Sequence, residues 1–256
     1  MAGRQTADVV FCIDASGSMA PCFRALKDNI RSFVKGLESG GQYNWDLRLD
    51  FLAYNAGIGS GAGVFGFRSL KQRDLGVLHS LYDQGGKDQS AETLFFTSDI
   101  GEFCKALDDV EVEGDEATFI ALDTALDFPW RPVSKCHRVL VVLTDEALET
   151  GVFVEKQTKK LPELIDKIHT LKVELFLVGP ESDAFSDLSA ADRSEYVILD
   201  NDHDGLKNAD FSKVLESIGK SVSAAFPPGQ FTPPEVQRAL FNQHAWVSSS
   251  EAVTGD

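Results

Sequence analysis

The sequence predicts an open α/β fold, a Rossmann-like, doubly wound and mostly parallel sheet with helices on both faces, and three observations predict it. First, the run VVFCI at residues 9–13 and the run RVLVVL at residues 138–143 lack the polar alternation of a half-exposed strand, so each reads as a strand buried on both faces. Second, each run ends in a carboxylate, Asp14 and Asp145. Third, segments with apolar residues at helical spacing alternate with further β-rich runs along most of the chain, as repeated strand–helix units require.

The elements follow in order. After the first strand, Pro21 suits a first helical turn, and Phe23, Leu26, Ile30, Phe33 and Leu37 recur at helical spacing until Ser39-Gly40-Gly41 stops them. Trp45, Leu47, Leu49 and Phe51 alternate with Asp46, Arg48 and Asp50, which predicts a strand with one wetter face. Between Asn55 and Glu92 the pattern is irregular; Gly59, Gly61 and Gly63 satisfy neither a dinucleotide loop nor a Walker loop and read as a hairpin or the base of an insertion. The stretch LFFT at residues 94–97 predicts a short strand, with Asp99 capping a helix that carries Ile100, Phe103, Leu107 and Val110. A helix with Phe119, Leu122 and Leu126 on its stripe precedes the second buried strand. A further helix over Glu155 to Leu171 follows, then strands at Val173–Gly179 and Tyr196–Leu199, and a last helix with Val214, Leu215, Ile218, Val222 and Phe226. Connection rules then give a six-stranded sheet of order 3-2-1-4-5-6 whose short third strand is the antiparallel edge.

The loop after the first strand carries the chemistry. Asp14, Ser16 and Ser18 place three hard oxygen donors at alternate positions, at the strand end where open α/β sheets build their sites, and Gly17 allows the tight turn. Asp14-Ala15-Ser16-Gly17-Ser18-Met19 resembles the DxSxS signature of von Willebrand factor A domains, whose metal-ion-dependent adhesion site lies at the end of the first strand. The resemblance covers about Thr6 to Phe226. It implies a single domain over residues 1–226, with residues 55–92 as an insertion and residues 227–256 as a tail. It also implies a fourth metal ligand in the loop Glu113–Thr118, which falls on Glu116 by alignment from Ala121-Leu122 or on Thr118 if the usual threonine is kept, and a fifth at Asp145. Glu146 departs from the glycine that the family often has there. The segment Ser217–Ser223 is similar to the end of the domain in bacterial cytoplasmic members associated with tellurium-resistance-type systems.

Read this way, the protein is a non-enzymatic adaptor or regulatory module that binds a protein partner through Mg2+, with Mn2+ or Ca2+ as alternatives and an acidic partner side chain on the ion. The competing reading is a metal-assisted phosphatase or hydrolase using the same carboxylates. Against it, Ser16 stands where a haloacid-dehalogenase-type phosphatase needs a second aspartate, and the proposed loops hold no histidine or cysteine to serve as base or nucleophile.

Composition bounds the partners. With 24 basic against 40 acidic residues the net charge is −16, which disfavours nucleic acid and anionic membrane surfaces, and no apolar run reaches membrane-spanning length. Four dispersed cysteines without a CxxC pair read as reduced structural thiols, so the expected location is the cytoplasm. The DxDxDG-like stretch Asp200–Gly205 lacks the acidic residue that a calcium loop needs at its twelfth position. It reads as a solvated acidic loop, with Asp210 capping the final helix.

Overall fold

The computed structural model describes residues 3–38, 43–57, 61–66, 70–74, 95–108, 110, 112, 114, 116–199 and 210–224. Five parallel strands form the centre of the sheet, in the order β2 (Tyr43–Gly57), β1 (Gly3–Asp14), β5 (His137–Leu143), β6 (Val173–Pro180) and β7 (Ser194–Leu199). β1 is paired along its whole length with β2, from Gly3↔Tyr43 to Asp14↔Tyr54, and from Ala7 to Ile13 with β5. Beyond β2, β3 (Gly61–Gly66) and β4 (Leu70–Asp74) continue the sheet as an antiparallel pair.

The expected six-stranded sheet with one short antiparallel edge strand is corrected here. The parallel core has five strands, and the stretch expected as the third strand makes a single antiparallel bridge, Leu49↔Thr97, closed by backbone hydrogen bonds of 2.7 and 2.8 Å. Phe96 is the reason: at φ 57° it leaves the extended region, and its N–H turns to the buried carboxylate of Asp50 at 2.8 Å. The antiparallel strands come instead from the glycine-containing part of the stretch read as an insertion, where β3 pairs with β2 on one side and with β4 on the other. Residues 75–94, the acidic loop at 200–205 and the tail at 227–256 lie outside the described residues.

Helices α1 (Ala20–Glu38), α2 (Ile100–Leu107) and α6 (Phe211–Ala224) cover one face of the sheet; α3 (Thr118–Leu126), α4 (Val154–Leu171) and α5 (Asp183–Leu188) cover the other. Strand alternation divides the core accordingly. Val9, Phe11 and Ile13 of β1 point to the first face, Val10 and Cys12 to the second, and all five are fully buried. Phe11 packs edge-on to Phe33 at 6.0 Å and against Phe103 at 5.8 Å, which joins α1 and α2 to the central strand. The expected caps form: Asp99 Oδ1 accepts from the N–H groups of Gly101 and Glu102, and Asp210 Oδ1 accepts from Lys213 N. Helix α5 was not foreseen. It is the crossover that parallel β6 and β7 require, with Ser182 Oγ accepting from Phe185 N as its cap.

The wetter face expected on β2 is also corrected. Asp50 is buried and accepts from the N–H groups of Phe51 and Phe96. Arg48 and Arg131 both grip the fully buried Asp8 of β1, Arg48 through Nε at 2.8 Å and Nη2 at 2.7 Å, Arg131 through Nε and its main-chain N at 2.7 Å each. The Arg48 guanidinium also lies 4.6 Å from the centre of the Phe96 ring. All four acceptor positions on Asp8 are therefore used, which is how a charge tolerates burial. All four cysteines are free, and among the described residues no helix is long and apolar enough to cross a membrane.

Helices α1 and α6 meet with almost nothing between their backbones. A Cβ on Gly36 would stand 2.2 Å from the carbonyl oxygen of Glu216, and one on Gly219 would stand 2.3 Å from that of Phe33. Gly36→Ala is therefore expected to destabilise the protein by about 3 kcal/mol, because neither backbone can yield without disturbing the core. Gly17→Ala, where nothing lies within 4 Å, should change stability by less than about 0.5 kcal/mol. Equilibrium unfolding in urea checks both, and equal midpoints for the two variants would refute the packing argument.

Candidate metal centre

The topology brings Asp14 and Asp145 together although they are far apart in the chain. β1 and β5 are adjacent and parallel, and their following helices, α1 and α4, lie on opposite faces, so a crevice opens between the C-terminal ends of the two strands. Asp14 is the last residue of β1 and is fully buried. Its Oδ1 accepts from Ser16 N at 2.7 Å, and its Oδ2 accepts from the Thr144 hydroxyl at 3.0 Å. The main-chain N–H of Ala15 donates to Tyr54 O at 2.7 Å, which holds the start of the loop against β2.

Ser16 is buried and Ser18 exposed, with their hydroxyl oxygens 3.1 Å apart. The two then lead through a single helical turn, Gly17–Met19, into α1. Glu116 lies just before α3, 7% exposed, and its main-chain oxygen accepts from Val152 N. Gln157 accepts from Phe119 N at 2.8 Å and donates to Val152 O at 2.6 Å, so one side chain ties the start of α3 to the loop after β5. Thr118 is the first residue of α3, and its hydroxyl accepts from the Tyr54 hydroxyl at 3.0 Å.

Carboxylate oxygens of Asp14, Glu116 and Asp145 lie within 4.8 Å of one another. Of the two candidates in the α3 loop, Glu116 is the one that joins the acidic cluster. Asp14, Ser16 and Ser18 stand together on the first loop, as the sequence pattern requires. Two contributors were not read from the sequence, Thr144 and Tyr54, whose hydroxyls reach Asp14 and Thr118. Thr144 sits next to Asp145 at the strand end and so carried a positional signal; Tyr54 lies in a strand pattern and carried none.

Burial, before any other cause, pushes the Asp14 carboxyl up to about 7; the charge of Asp145 adds to this, while the Ser16 N–H and the Ser16 and Thr144 side chains oppose it. Glu116 is likewise raised well above the usual carboxylate range, first by burial, then by the Glu146 carboxyl against it and the charge of Asp14. For Asp14 alone, the shift corresponds to a cost on the order of 4 kcal/mol for keeping the group ionised in the folded chain. That is a large part of the stability of an ordinary domain, and a divalent cation among the three carboxylates would offset it.

The donor set fits such an ion. It consists of hard oxygens without nitrogen or sulfur, and Glu116 Oε2 is buried with no hydrogen-bond partner among the described residues. The thiol of Cys12 is held far above its normal range by burial and by Asp14, so it remains a protonated core group.

The fold and site define a class: an open α/β domain with an acidic cluster at its topological switch point. Comparison with known proteins does not narrow this, since no protein-family model and no curated protein matches the chain. Solved structures align over most of it at low identity. Proximal thread matrix protein 1 from the mussel byssus is 15% identical with a TM-score of 0.47, over 84% of this chain and 45% of that one. The pilus adhesin SpaC from Lactobacillus rhamnosus GG, in its open conformation, is 13% identical with a TM-score of 0.47, over 86% of this chain and 30% of that one. The chain thus spans less than half the length of either.

The raised carboxyls fix the sign of a pH effect. Asp14 and Glu116 keep their protons in the folded chain to higher pH than in the unfolded chain, so stability falls as pH rises from about 4 through 7 and beyond. In the presence of a chelator the melting temperature should drop steadily between about pH 5 and pH 8. Saturating Mg2+, which binds the ionised form and releases protons, should remove most of that drop. A melting temperature independent of pH in chelator would refute the assignment of the cluster as unneutralised.

Proposed function

We propose that the protein is a divalent-metal-dependent protein-interaction module, a non-enzymatic adaptor or regulatory component acting in the cytoplasm. In this reading Asp14, Ser16, Ser18, Glu116 and Asp145 hold Mg2+, or Mn2+ or Ca2+ in its place, and Thr118 stands behind them as the alternative to Glu116. The observation that carries it is the acidic cluster itself: three carboxylates converging at a crevice, two of them buried and one with an unpartnered oxygen.

The resemblance of the first loop to the von Willebrand factor A signature supports the same reading, as do the free cysteines and the acidic balance of the chain. Magnesium keeps water wherever protein does not supply oxygen, so the ion could accept an acidic side chain from a partner. The metal would supply the attraction for that side chain. The residues around it orient the ligands: Ser16 N and Thr144 hold Asp14, and Gln157 holds the approach to Glu116.

Titration calorimetry tests the assignment. Asp14→Ala should abolish Mg2+ binding, since it removes the innermost carboxylate and relieves the crowding that favours a cation. Glu116→Ala should weaken binding at least about tenfold more than Thr118→Ala, because a lost carboxylate removes charge as well as an oxygen. Unchanged affinity in Asp14→Ala would end the reading, and the reverse ranking of the other two would restore threonine as ligand. Magnesium-dependent hydrolysis of p-nitrophenyl phosphate by the wild type, lost in Asp14→Ala, would move the assignment to a phosphatase.

A further inference from the structure

Glu146 stands outside the ligand set read from the sequence, yet it is built into the site. Its N–H approaches Thr144 Oγ1 at 3.4 Å, and the same hydroxyl donates to Asp14 Oδ2 at 3.0 Å and lies 3.3 Å from Glu146 O. Its main chain is therefore tied to the innermost ligand through one side chain. Its carboxyl group stands against that of Glu116. Two carboxylates so placed repel each other, and a cation between them turns that repulsion into shared coordination. Glu116 is 93% buried and its Oε2 has no partner among the described residues, while Glu146, like Asp145, is half-buried and so more exposed than Asp14 and Glu116.

We propose that Glu146 is an internal competitor at the metal centre: with the cation in place, its carboxylate takes the outward-facing position that a partner's acidic group would otherwise occupy, and a partner must displace it. This rests on the metal-dependent reading above. Being part of the chain, one residue from Asp145, the Glu146 carboxylate is present at high effective concentration and pays little entropy to bind. It also changes the charge. Four carboxylates around one divalent ion leave two excess negative charges, so an incoming acid meets repulsion that three carboxylates with an open position would halve. The movement required is a side-chain rotation of a half-buried residue, with no change in the strand end beneath it.

Mn2+ alone serves as the probe, because water-proton relaxation counts the exchangeable waters on the bound ion; acetate stands in for a partner carboxylate. The wild type should hold Mn2+ with few exchangeable waters and show no response to acetate. Glu146→Gly should gain about one water, bind Mn2+ several-fold more weakly, and lose that water again as acetate is added. Glu146→Gln, which keeps the shape, should bind acetate more strongly than the wild type and so guards against a folding defect in the glycine variant. Mn2+ binding with the same water count and no acetate response in either variant would overturn this proposal and leave the metal reading intact. Failure of the wild type to bind Mn2+ would overturn both.

Discussion

The structure depends on one awkward charge, the carboxylate of Asp14 at the end of the central strand. β1 has a parallel neighbour on each side and helices over both faces, so its last residue is carried into the interior with no route of its own to bulk water. A carboxylate there must be neutralised by a proton, by donors or by a cation. The chain offers two donors, the Ser16 N–H and the Thr144 hydroxyl, and then places Glu116 and Asp145 alongside, which makes the proton or the cation unavoidable. Asp8, six residues earlier on the same strand, shows the contrasting solution. It is just as deeply buried, but two arginines and a main-chain N–H saturate it, and it is a fixed internal ion pair.

Much of the fold was legible because its strongest signals are local. The uninterrupted run at residues 138–143 falls within the observed β5, His137–Leu143, and Asp99 and Asp210 cap the helices they precede. What was not legible required tertiary partners. Nothing in the alternation of Asp46, Arg48 and Asp50 with apolar residues reveals that Arg131 and Phe96 will come to cover that face. Nor does the LFFT stretch reveal that Phe96 adopts a left-handed conformation, since it does so to deliver its N–H to Asp50. Helix α5 is only six residues long, too short for periodicity to show, although the need to join two parallel strands implied some crossover.

The candidate site divides in the same way. Asp14, Ser16 and Ser18 form a local pattern, and the convergence of Asp14 with Asp145 follows from the rule that places sites between strands whose helices diverge. The choice between Glu116 and Thr118 could not be made from spacing, because two residues along a loop are too close for any pattern to separate. In the structure their surroundings differ: Thr118 enters the helix and its hydroxyl meets Tyr54, whereas Glu116 stays outside it beside Asp14 and Asp145. Thr144 acts across 130 residues of sequence, and Tyr54 across 64. Such contacts exist only after the sheet has assembled.

The contact between α1 and α6 has a mechanical meaning. Where two helices are separated by side chains, one can creep along the other as the side chains change rotamer. Here Gly36 faces the Glu216 carbonyl and Gly219 faces the Phe33 carbonyl, so backbone rests on backbone, and a slip of one residue would drive a Cβ into a main-chain oxygen. The pair behaves as a notch and catch. Between neighbouring registers α6 has no smooth path along α1, so the two helices hold one relative position rather than a range of them.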